Sequence, residues 1–166
     1  NLKLTVNENV LIPRPETELL IESALEHFEH DQPLRIVDVC TGSGCVVIGL
    51  GREFPRASLV AADISASALA VARRNISRYD LDSRVLCVKT DLLDGLPAPF
   101  DLIVANPPYI PQGDAPDLAP EVRQFEPPRA LFGGADGMQI VTRLIAQAPA
   151  ALRKGGLLIF EFGIGQ

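Results

Sequence analysis

Short apolar runs recur along the chain, and longer stretches with helical periodicity separate them. Five of these runs predict buried β-strands, which span residues 34–39, 58–62, 84–89, 100–104 and 157–162. Between them, segments such as 66–78 repeat apolar residues three and four positions apart, as the buried face of a helix requires. Strands that alternate with helices favour an α/β fold, doubly wound around a mostly parallel sheet. A further alternating run, residues 2–6, predicts a short strand at the start of the chain.

Polar or turn-forming residues follow four of the predicted strands at the point where each strand ends. The first strand runs into residues 40–44, the second into Asp63, the third into Asp91 and the fourth into Asn106. The carboxyl ends of parallel strands share one edge of an open sheet, and ligands bind at that edge. The sequence therefore predicts that these four positions line one site.

The segment 40–44 reads Cys-Thr-Gly-Ser-Gly and joins the first strand to the next predicted helix. Such a strand–turn–helix unit exposes backbone N–H groups and a helix N-terminus to a ligand. Asp63 lies 19 residues beyond Gly44, close to the separation at which an acidic side chain reaches ribose hydroxyl groups. A dinucleotide-dependent oxidoreductase would have a further glycine near Val47, where this turn has none. The turn together with Asp63 thus favours a different ribose-containing ligand.

The fourth predicted strand ends in Asn106-Pro107-Pro108-Tyr109. Each proline lacks an N–H group and disfavours helix in the residue before it, so the strand stops abruptly there. Asn106 is left at the strand tip, where its carboxamide offers one carbonyl acceptor and two N–H donors. This group can bind a planar NH2 group, as in glutamine or adenine, while the Pro107 carbonyl accepts the second proton. Tyr109 would supply a flat wall, and a strand-ending turn without chemistry is the alternative interpretation.

Residues 107–129 show no periodic pattern and contain seven prolines. A long loop without regular structure inside a compact domain usually covers a site, so a covering loop is predicted here. Near its end, Glu126 and Arg129 are predicted to pair with each other. Arg14 lies between two prolines, which make it a rigidly presented candidate for a functional role.

The composition of the 166 residues fits one domain with a hydrophobic core, since 47% are hydrophobic and 22% are charged. The net charge of −6 argues against a broad electrostatic grip on nucleic acid. No apolar run approaches the roughly 18 residues of a membrane span, so no membrane segment is expected. The three cysteines form no CxxC pair, which favours reduced thiols in the cytoplasm, and no metal site is predicted.

Three motifs together resemble those of the HemK-type methyltransferases. They are the opening Leu-Ile-Pro-Arg-Pro-Glu-Thr-Glu, the turn Asp-Val-Cys-Thr-Gly-Ser-Gly and the strand-ending Asn-Pro-Pro-Tyr, and the likeness extends over residues 6–166. These enzymes methylate a glutamine side-chain amide in peptide chain release factors, with S-adenosylmethionine as the methyl donor. The resemblance implies a Rossmann-like S-adenosylmethionine-dependent methyltransferase fold that lacks its last two strands. Residues 1–166 would form a single, monomeric catalytic domain without the family's N-terminal helical substrate-binding domain.

The resemblance also implies roles for individual residues. The glutamine would be bound by Asn106, Pro107, Pro108 and Tyr109. The cofactor would be bound by Asp38, Cys40, Thr41, Gly42, Ser43, Gly44, Asp63, Asp91, Leu92 and Asn106. Within this second set, residues 40–44 and Asp63 would hold the methionine and ribose portions, while Asp91 and Leu92 would flank the adenine.

One departure from the family's pattern leaves alternatives open. The turn usually carries glycine at the position of Cys40, and cysteine there resembles a sibling group that methylates a glutamine of a large-subunit ribosomal protein. An adenine-amine methyltransferase of DNA or RNA would use the same Asn-Pro-Pro-Tyr chemistry. A cofactor-binding module without activity is the remaining alternative. The residues after Pro13-Arg14 look like the release-factor enzymes, so a release factor is the expected partner.

Overall fold

Five parallel strands form a single sheet in the computed structural model, which describes residues 2–166. The strands are β1 (Arg35–Val39), β2 (Ser58–Asp63), β3 (Val85–Lys89), β4 (Phe100–Ala105) and β5 (Leu152–Phe160). Their order across the sheet is β3-β2-β1-β4-β5, and every neighbouring pair is parallel. The first four predicted strands appear within one residue of their predicted bounds, whereas β5 begins earlier, at Leu152.

Helices fill most of the connections between these strands. They are α1 (Glu18–His27), α2 (Cys45–Glu53), α3 (Ala66–Arg78), α4 (Pro120–Phe125), α5 (Pro128–Leu131) and α6 (Gln139–Ala151), with 3₁₀ turns at Pro15–Thr17 and Gln112–Asp117. The hydroxyl of Ser65 caps α3 by accepting a hydrogen bond from Ala68 N at 3.2 Å. Within residues 2–166, no helix combines the length and the apolar character needed to cross a membrane.

Side chains of the central strands alternate between two hydrophobic clusters, one on each face of the sheet. Ile36 and Leu102 belong to the cluster that includes residues of α1, α2 and α3, whereas Val37 and Ile103 belong to the cluster that includes α6. Because helices cover both faces, the strands are buried on both sides and their sequences read as nearly continuous apolar runs. The prediction of a doubly wound α/β fold is confirmed, and all strand pairs described are parallel.

The order of the sheet reverses at β1, which lies between β2 and β4. Val39, at the end of β1, pairs with Ala62 on one side and with Ala105 on the other. Connections that leave β1 and β4 in opposite directions create a crevice outside the carboxyl ends of the strands. The residues that follow β1 and β4 are therefore placed on either side of that crevice.

Residues 2–6 do not form the predicted strand. Their backbone groups bond to α3 instead: Thr5 N donates to Asn75 Oδ1 at 2.7 Å, and Asn75 Nδ2 donates to the Thr5 carbonyl at 2.9 Å. Lys3 N likewise donates to the hydroxyl of Tyr79, just beyond that helix, at 2.6 Å. The prediction is wrong because side chains on the helix, rather than a neighbouring strand, satisfy the backbone.

The segment 107–129 contains short helices where a loop without regular structure is predicted. The 3₁₀ turn Gln112–Asp117 and α4 lie within it, and α5 begins at its end. Pro120 and Pro128 occupy the first positions of α4 and α5, where a missing N–H group has no helical partner to lose. Two of the seven prolines that indicate irregular structure in the sequence therefore begin helices.

Candidate active site

A cavity of about 520 Å³ opens at the carboxyl edge of the sheet, beside the ends of β1, β2, β3 and β4. The predicted site residues that line it are Asp38, Cys40, Thr41, Gly42, Ser43, Asp63, Asp91, Leu92, Asn106 and Pro108. Gly44, Pro107 and Tyr109 lie outside its lining. Its volume falls within the range of small-molecule sites, so this edge of the sheet offers an open cavity of suitable size for a ligand.

Backbone conformation fixes the turn between β1 and α2. Cys40 and Gly44 have φ angles of 59° and 83°, in the left-handed region that most side chains disfavour. A Cβ atom at Gly44 would also lie 3.3 Å from the Cβ atom of Ala72, because the start of α2 packs against α3. Glycine suits both positions, and cysteine at position 40 adopts the conformation at a disadvantage of roughly 1–2 kcal/mol.

Asp38 lies in β1 and is buried beneath this turn. Its Oδ2 atom accepts hydrogen bonds from the Thr41 hydroxyl at 2.6 Å and from Val47 N at 3.1 Å. Burial raises the pKa of the Asp38 carboxyl to about 7, although both hydrogen bonds act in the opposite direction. Asp38 therefore titrates near neutral pH, and a positive charge in the cavity would favour its ionised form.

Both carboxylate oxygens of Asp63 accept hydrogen bonds from the backbone. Gly42 N donates to Oδ2 at 3.0 Å, and Ser65 N donates to Oδ1 at 2.8 Å. Burial raises the pKa of Asp63, while these hydrogen bonds and the positive charge of Arg129 lower it. Each oxygen keeps a further lone pair, so Asp63 is still able to accept hydrogen bonds from a ligand's hydroxyl groups.

Asp91 and Leu92 follow β3 and line another wall of the cavity. Asp91 Oδ2 accepts a hydrogen bond from Arg143 Nη2, in α6, at 2.7 Å. Both side chains of this ion pair are partly exposed, so the pair adds little to stability and instead fixes the geometry of the rim. Leu92 is buried with a φ angle of 53°, which turns the chain away from the strand.

The carboxyl groups of Asp38, Asp63 and Asp91 all act on the thiol of Cys40. Burial raises the pKa of Cys40, and the three negative charges raise it further. The pKa of Cys45 rises to about 11, chiefly because of burial. All cysteines of the chain, Cys40, Cys45 and Cys87, are free thiols. The two thiols at the cavity therefore behave as small apolar groups, and the charged side chains of the lining are three acids, Asp38, Asp63 and Asp91, and two bases, Arg129 and Arg143.

Asn106 follows the last residue of β4 and lines the cavity. Its Nδ2 atom donates a hydrogen bond to the hydroxyl of Thr17 at 3.2 Å. Thr17 is the last residue of the 3₁₀ turn Pro15–Thr17, is buried, and lines the same cavity. One side of the carboxamide therefore has a protein partner, and its carbonyl oxygen remains available to a ligand.

Tyr109 is held by two hydrogen bonds outside the lining of the cavity. Its hydroxyl donates to Glu161 Oε1 at 2.8 Å, and its backbone carbonyl accepts from Gln166 Nε2 at 2.7 Å. Burial raises the pKa of Tyr109 to about 12, and the hydrogen bond to Glu161 also contributes. The expected contact of Tyr109 with a substrate stays a prediction.

The sequence predicts that Glu126 pairs with Arg129, and the structure shows a different partner. Its Oε1 atom accepts a hydrogen bond from Arg14 Nη2 at 2.7 Å, and the Glu126 side chain is almost fully buried. Arg129 instead lines the cavity, where its charge acts on Asp63. The prediction is wrong because the folded chain brings Arg14, which is 112 positions from Glu126 in the sequence, into contact with it. No local sequence pattern indicates such a contact.

Several residues of the cavity come from outside the strand tips and are missed by sequence reasoning. They include Val10, Pro13, Thr17, Ile140 and Arg143. Thr17 belongs to the Pro-Arg-Pro-Glu-Thr-Glu motif, so the sequence marks its segment as functional without identifying Thr17 itself. Nothing in the sequence of α6 indicates that Arg143 lies at the site. Within residues 2–166, no group of three or more His, Cys, Asp or Glu side chains is arranged to hold a metal ion.

Comparison with known proteins identifies close relatives of the chain. A release factor glutamine methyltransferase from Gloeobacter violaceus is 44% identical over 167 residues, which cover 100% of this chain and 58% of that protein. The protein of the same name from Chlorobaculum tepidum is 46% identical, over 94% of this chain and 56% of its own length. The chain thus spans little more than half the length of these relatives. The resemblance found in the motifs is confirmed.

A solved structure and a family model point to the same class of protein. The ribosomal protein L11 methylase of Lactobacillus delbrueckii subsp. bulgaricus matches with a TM-score of 0.62 and 26% identity, over 91% of this chain and 62% of that one. The family model described as "Methyltransferase small domain" matches residues 16–122, which include β1 to β4 and the strand tips around the cavity. The chain therefore belongs to the methyltransferase small domain family.

Proposed function

We propose that this chain catalyses the S-adenosylmethionine-dependent methylation of a glutamine side-chain amide in a peptide chain release factor. The observation that carries the proposal is the carboxamide of Asn106, which lies at the tip of β4 on the wall of the cavity. The names of the relatives from Gloeobacter violaceus and Chlorobaculum tepidum support the choice of substrate.

The residues of the cavity fit the proposed cofactor. S-adenosylmethionine supplies a methyl group that is already activated by a positively charged sulfur. The volume of about 520 Å³ suits a molecule of this size, and the carboxyl groups of Asp38, Asp63 and Asp91 offer hydrogen-bond acceptors in its lining. Asp63 would accept hydrogen bonds from the ribose hydroxyl groups, and residues 40–44, with Asp38 beneath them, would hold the methionine portion. Asp91 and Leu92 would flank the adenine.

Two acceptors would orient the substrate amide. Asn106 Oδ1, on the cavity wall, would accept one proton of the glutamine NH2 group and so point its nitrogen at the methyl group. The proposed second acceptor is the carbonyl of Pro107, a buried residue outside the lining of the cavity. The nitrogen lone pair of an amide is delocalised and therefore a poor nucleophile, so positioning is the main contribution that the protein can make. The same acceptors oppose the positive charge that develops on the nitrogen during transfer.

Tyr109 is unsuited to remove the amide proton. Its pKa of about 12 keeps the hydroxyl protonated at neutral pH, and this hydroxyl already donates to Glu161. We therefore expect the proton to leave after methyl transfer, when the nitrogen has become more acidic.

Two other substrates offer a similar planar NH2 group. A glutamine of a large-subunit ribosomal protein would fit the same acceptors, and Cys40 is the feature that favours it. However, Cys40 lies in the turn assigned to the cofactor, so it bears on the methyl donor rather than on the protein substrate. The amine of adenine would also fit, but a net charge of −6 disfavours the approach of a nucleic acid.

Mass spectrometry of a release factor, incubated with S-adenosylmethionine and an excess of this protein, tests the proposal. We expect one glutamine of the release factor to gain one methyl group. Asn106→Ala should lower the single-turnover rate by roughly 10²–10³-fold, since it removes an acceptor that acts on the reacting group.

Gln124→Ala, on the exposed surface of α4, is the matched control and should retain the wild-type rate. A ribosomal protein and an adenine-containing oligonucleotide are assayed in parallel. Methylation of either one without methylation of the release factor would overturn the choice of substrate. Full activity of Asn106→Ala would show that the strand-tip carboxamide is only part of a turn.

A further inference from the structure

We propose that Thr17 is a positioning residue, which sets the orientation of the Asn106 carboxamide for methyl transfer. This inference rests on the proposed function, in which Asn106 Oδ1 accepts a hydrogen bond from the substrate NH2 group. It assigns a role in the reaction to the segment Pro13–Thr17, which lies outside the strand tips.

The contact between the two side chains joins distant parts of the chain. Thr17 and Asn106 are 89 positions apart, yet Asn106 Nδ2 lies 3.2 Å from Thr17 Oγ1. In this arrangement the amide nitrogen of Asn106 faces Thr17, and the carbonyl oxygen points away from it.

The orientation matters because a carboxamide is nearly symmetric in shape. Rotation by half a turn would exchange Nδ2 and Oδ1 at little steric expense. In the exchanged orientation, N–H donors of Asn106 would oppose the N–H donors of the substrate amide, and the acceptor would be lost. The hydrogen bond to the Thr17 hydroxyl, a group that can donate or accept, holds the plane of the carboxamide, and with Nδ2 on the Thr17 side it leaves Oδ1 to the substrate.

Thr17 is itself held in place by the segment that precedes it. Thr17 N donates to the Arg14 carbonyl at 3.1 Å, and Pro13 and Pro15 restrict the backbone on either side of Arg14. The side chain of Arg14 is fixed in turn by its 2.7 Å contact with the buried carboxylate of Glu126. The hydroxyl of Thr17 is thus presented to Asn106 by a rigid support.

Two substitutions separate positioning from packing. Thr17→Val keeps the shape of the side chain and removes the hydroxyl, whereas Thr17→Ser keeps the hydroxyl and removes a methyl group. If Thr17 orients Asn106, the valine variant loses activity and the serine variant keeps it. If the buried side chain only fills space, the serine variant is the one that suffers.

The test measures the single-turnover rate on release factor, the calorimetric affinity for S-adenosylmethionine and the urea midpoint of each variant. We expect Thr17→Val to reduce the rate at saturating substrates about tenfold, the effect of one hydrogen bond to an oriented group, with cofactor affinity unchanged. Thr17→Ser should stay within about threefold of the wild-type rate. A wild-type rate for Thr17→Val, or an equal loss in both variants, would overturn the inference.

A spectroscopic measurement keeps this test separate from that of the proposed function. The side-chain NH2 protons of Asn106, observed by NMR, should exchange with water faster in Thr17→Val than in Thr17→Ser. That difference is expected whether or not a release factor is the substrate. Equal exchange in the two variants would overturn the inference, whereas failure of the wild-type protein to methylate a release factor would overturn only the proposed function.

Discussion

At the scale of single residues, Asp38 links the pH of the solution to the state of the cavity. Burial raises its pKa from 3.8 to about 7. The folded chain therefore binds the Asp38 proton more tightly than the unfolded chain does. The resulting contribution to stability is complete below a pH of 3.8 and is lost as the pH rises through about 7.

We predict that Asp38→Asn removes this part of the pH dependence of stability. Between about pH 4 and about pH 8, the free energy of unfolding should fall further in the wild type than in the variant, by a difference on the order of a few kcal/mol. Asparagine keeps an acceptor for Thr41 and Val47 but has no proton that titrates. Urea unfolding at successive pH values measures the difference.

Asp31→Asn, at an exposed position, is the control for the change in net charge and should follow the wild-type curve. Equal pH profiles for the wild type and Asp38→Asn would show that the buried carboxyl does not control stability.

The acids and the amide at the strand tips could be predicted because their convergence depends only on the parallel order of the strands. Asp63 and Asn106 are placed by that rule alone. The contacts of Thr17 and Glu126 could not be predicted, since each joins residues that are 89 or 112 positions apart. Such contacts depend on how the loops pack against the sheet, and hydrophobic periodicity does not predict loop packing.

At the scale of elements, Gly133 allows the Asn-Pro-Pro-Tyr segment to lie close to the chain that leads into α6. Ile110 and Phe132 form an isolated parallel bridge, in which Ile110 N donates to the Leu131 carbonyl and Gly133 N donates to the Ile110 carbonyl, both at 2.9 Å. A Cβ atom at Gly133 would lie 2.5 Å from the carbonyl oxygen of Pro108. Only a residue without a side chain fits there unless the backbone moves.

We predict that Gly133→Ala destabilises the protein by about 1–3 kcal/mol, the usual range for overpacking. It should also slow methyl transfer, because the displaced Pro108 backbone lies two residues from Asn106. Urea unfolding and the single-turnover rate measure the two effects. Gly113→Ala is the matched control, since a Cβ atom there meets nothing within 4 Å. If both alanine variants behave alike, the close approach at Gly133 is not what holds the segment.

The long elements could be predicted, and the short ones could not. Each of the strands β1, β2 and β4 is buried on both faces, so its apolar run stands out from the polar residues around it. The edge strand β3 keeps an apolar run although Leu86 in its middle is exposed. The helices α4 and α5 have six and four residues, too few to repeat a 3.6-residue pattern. The alternation over residues 2–6 is equally short, and here tertiary contacts to α3 decide the structure.

At the scale of the whole molecule, the two hydrophobic clusters share the same strands. β1, β2 and β4 contribute alternate residues to the cluster on each face of the sheet. Because the same strands supply both clusters, loss of packing on one face of the sheet would also disrupt the packing on the other face. We propose that residues 1–166 form a single catalytic domain that unfolds as one cooperative unit.

We predict that this chain shows one urea transition and that S-adenosylmethionine shifts it. A cofactor concentration 100 times its Kd should stabilise the fold by about 2.7 kcal/mol, because the ligand binds only the folded state. Asp63→Asn should show a smaller shift at the same concentration, since its weaker acceptor binds the ribose less well. Two separate transitions, or no shift with cofactor, would contradict the prediction.

The same chain should transfer the methyl group less efficiently than the longer relative from Gloeobacter violaceus, of which it matches 58%. The cavity and the Asn106 carboxamide lie within residues 2–166, so cofactor affinity should be similar in the two proteins. Recognition of a folded release factor needs a larger surface than this cavity, so the value of kcat/KM for release factor should be lower for the chain. Equal kcat/KM values in both proteins would show that residues 1–166 already contain the whole docking surface.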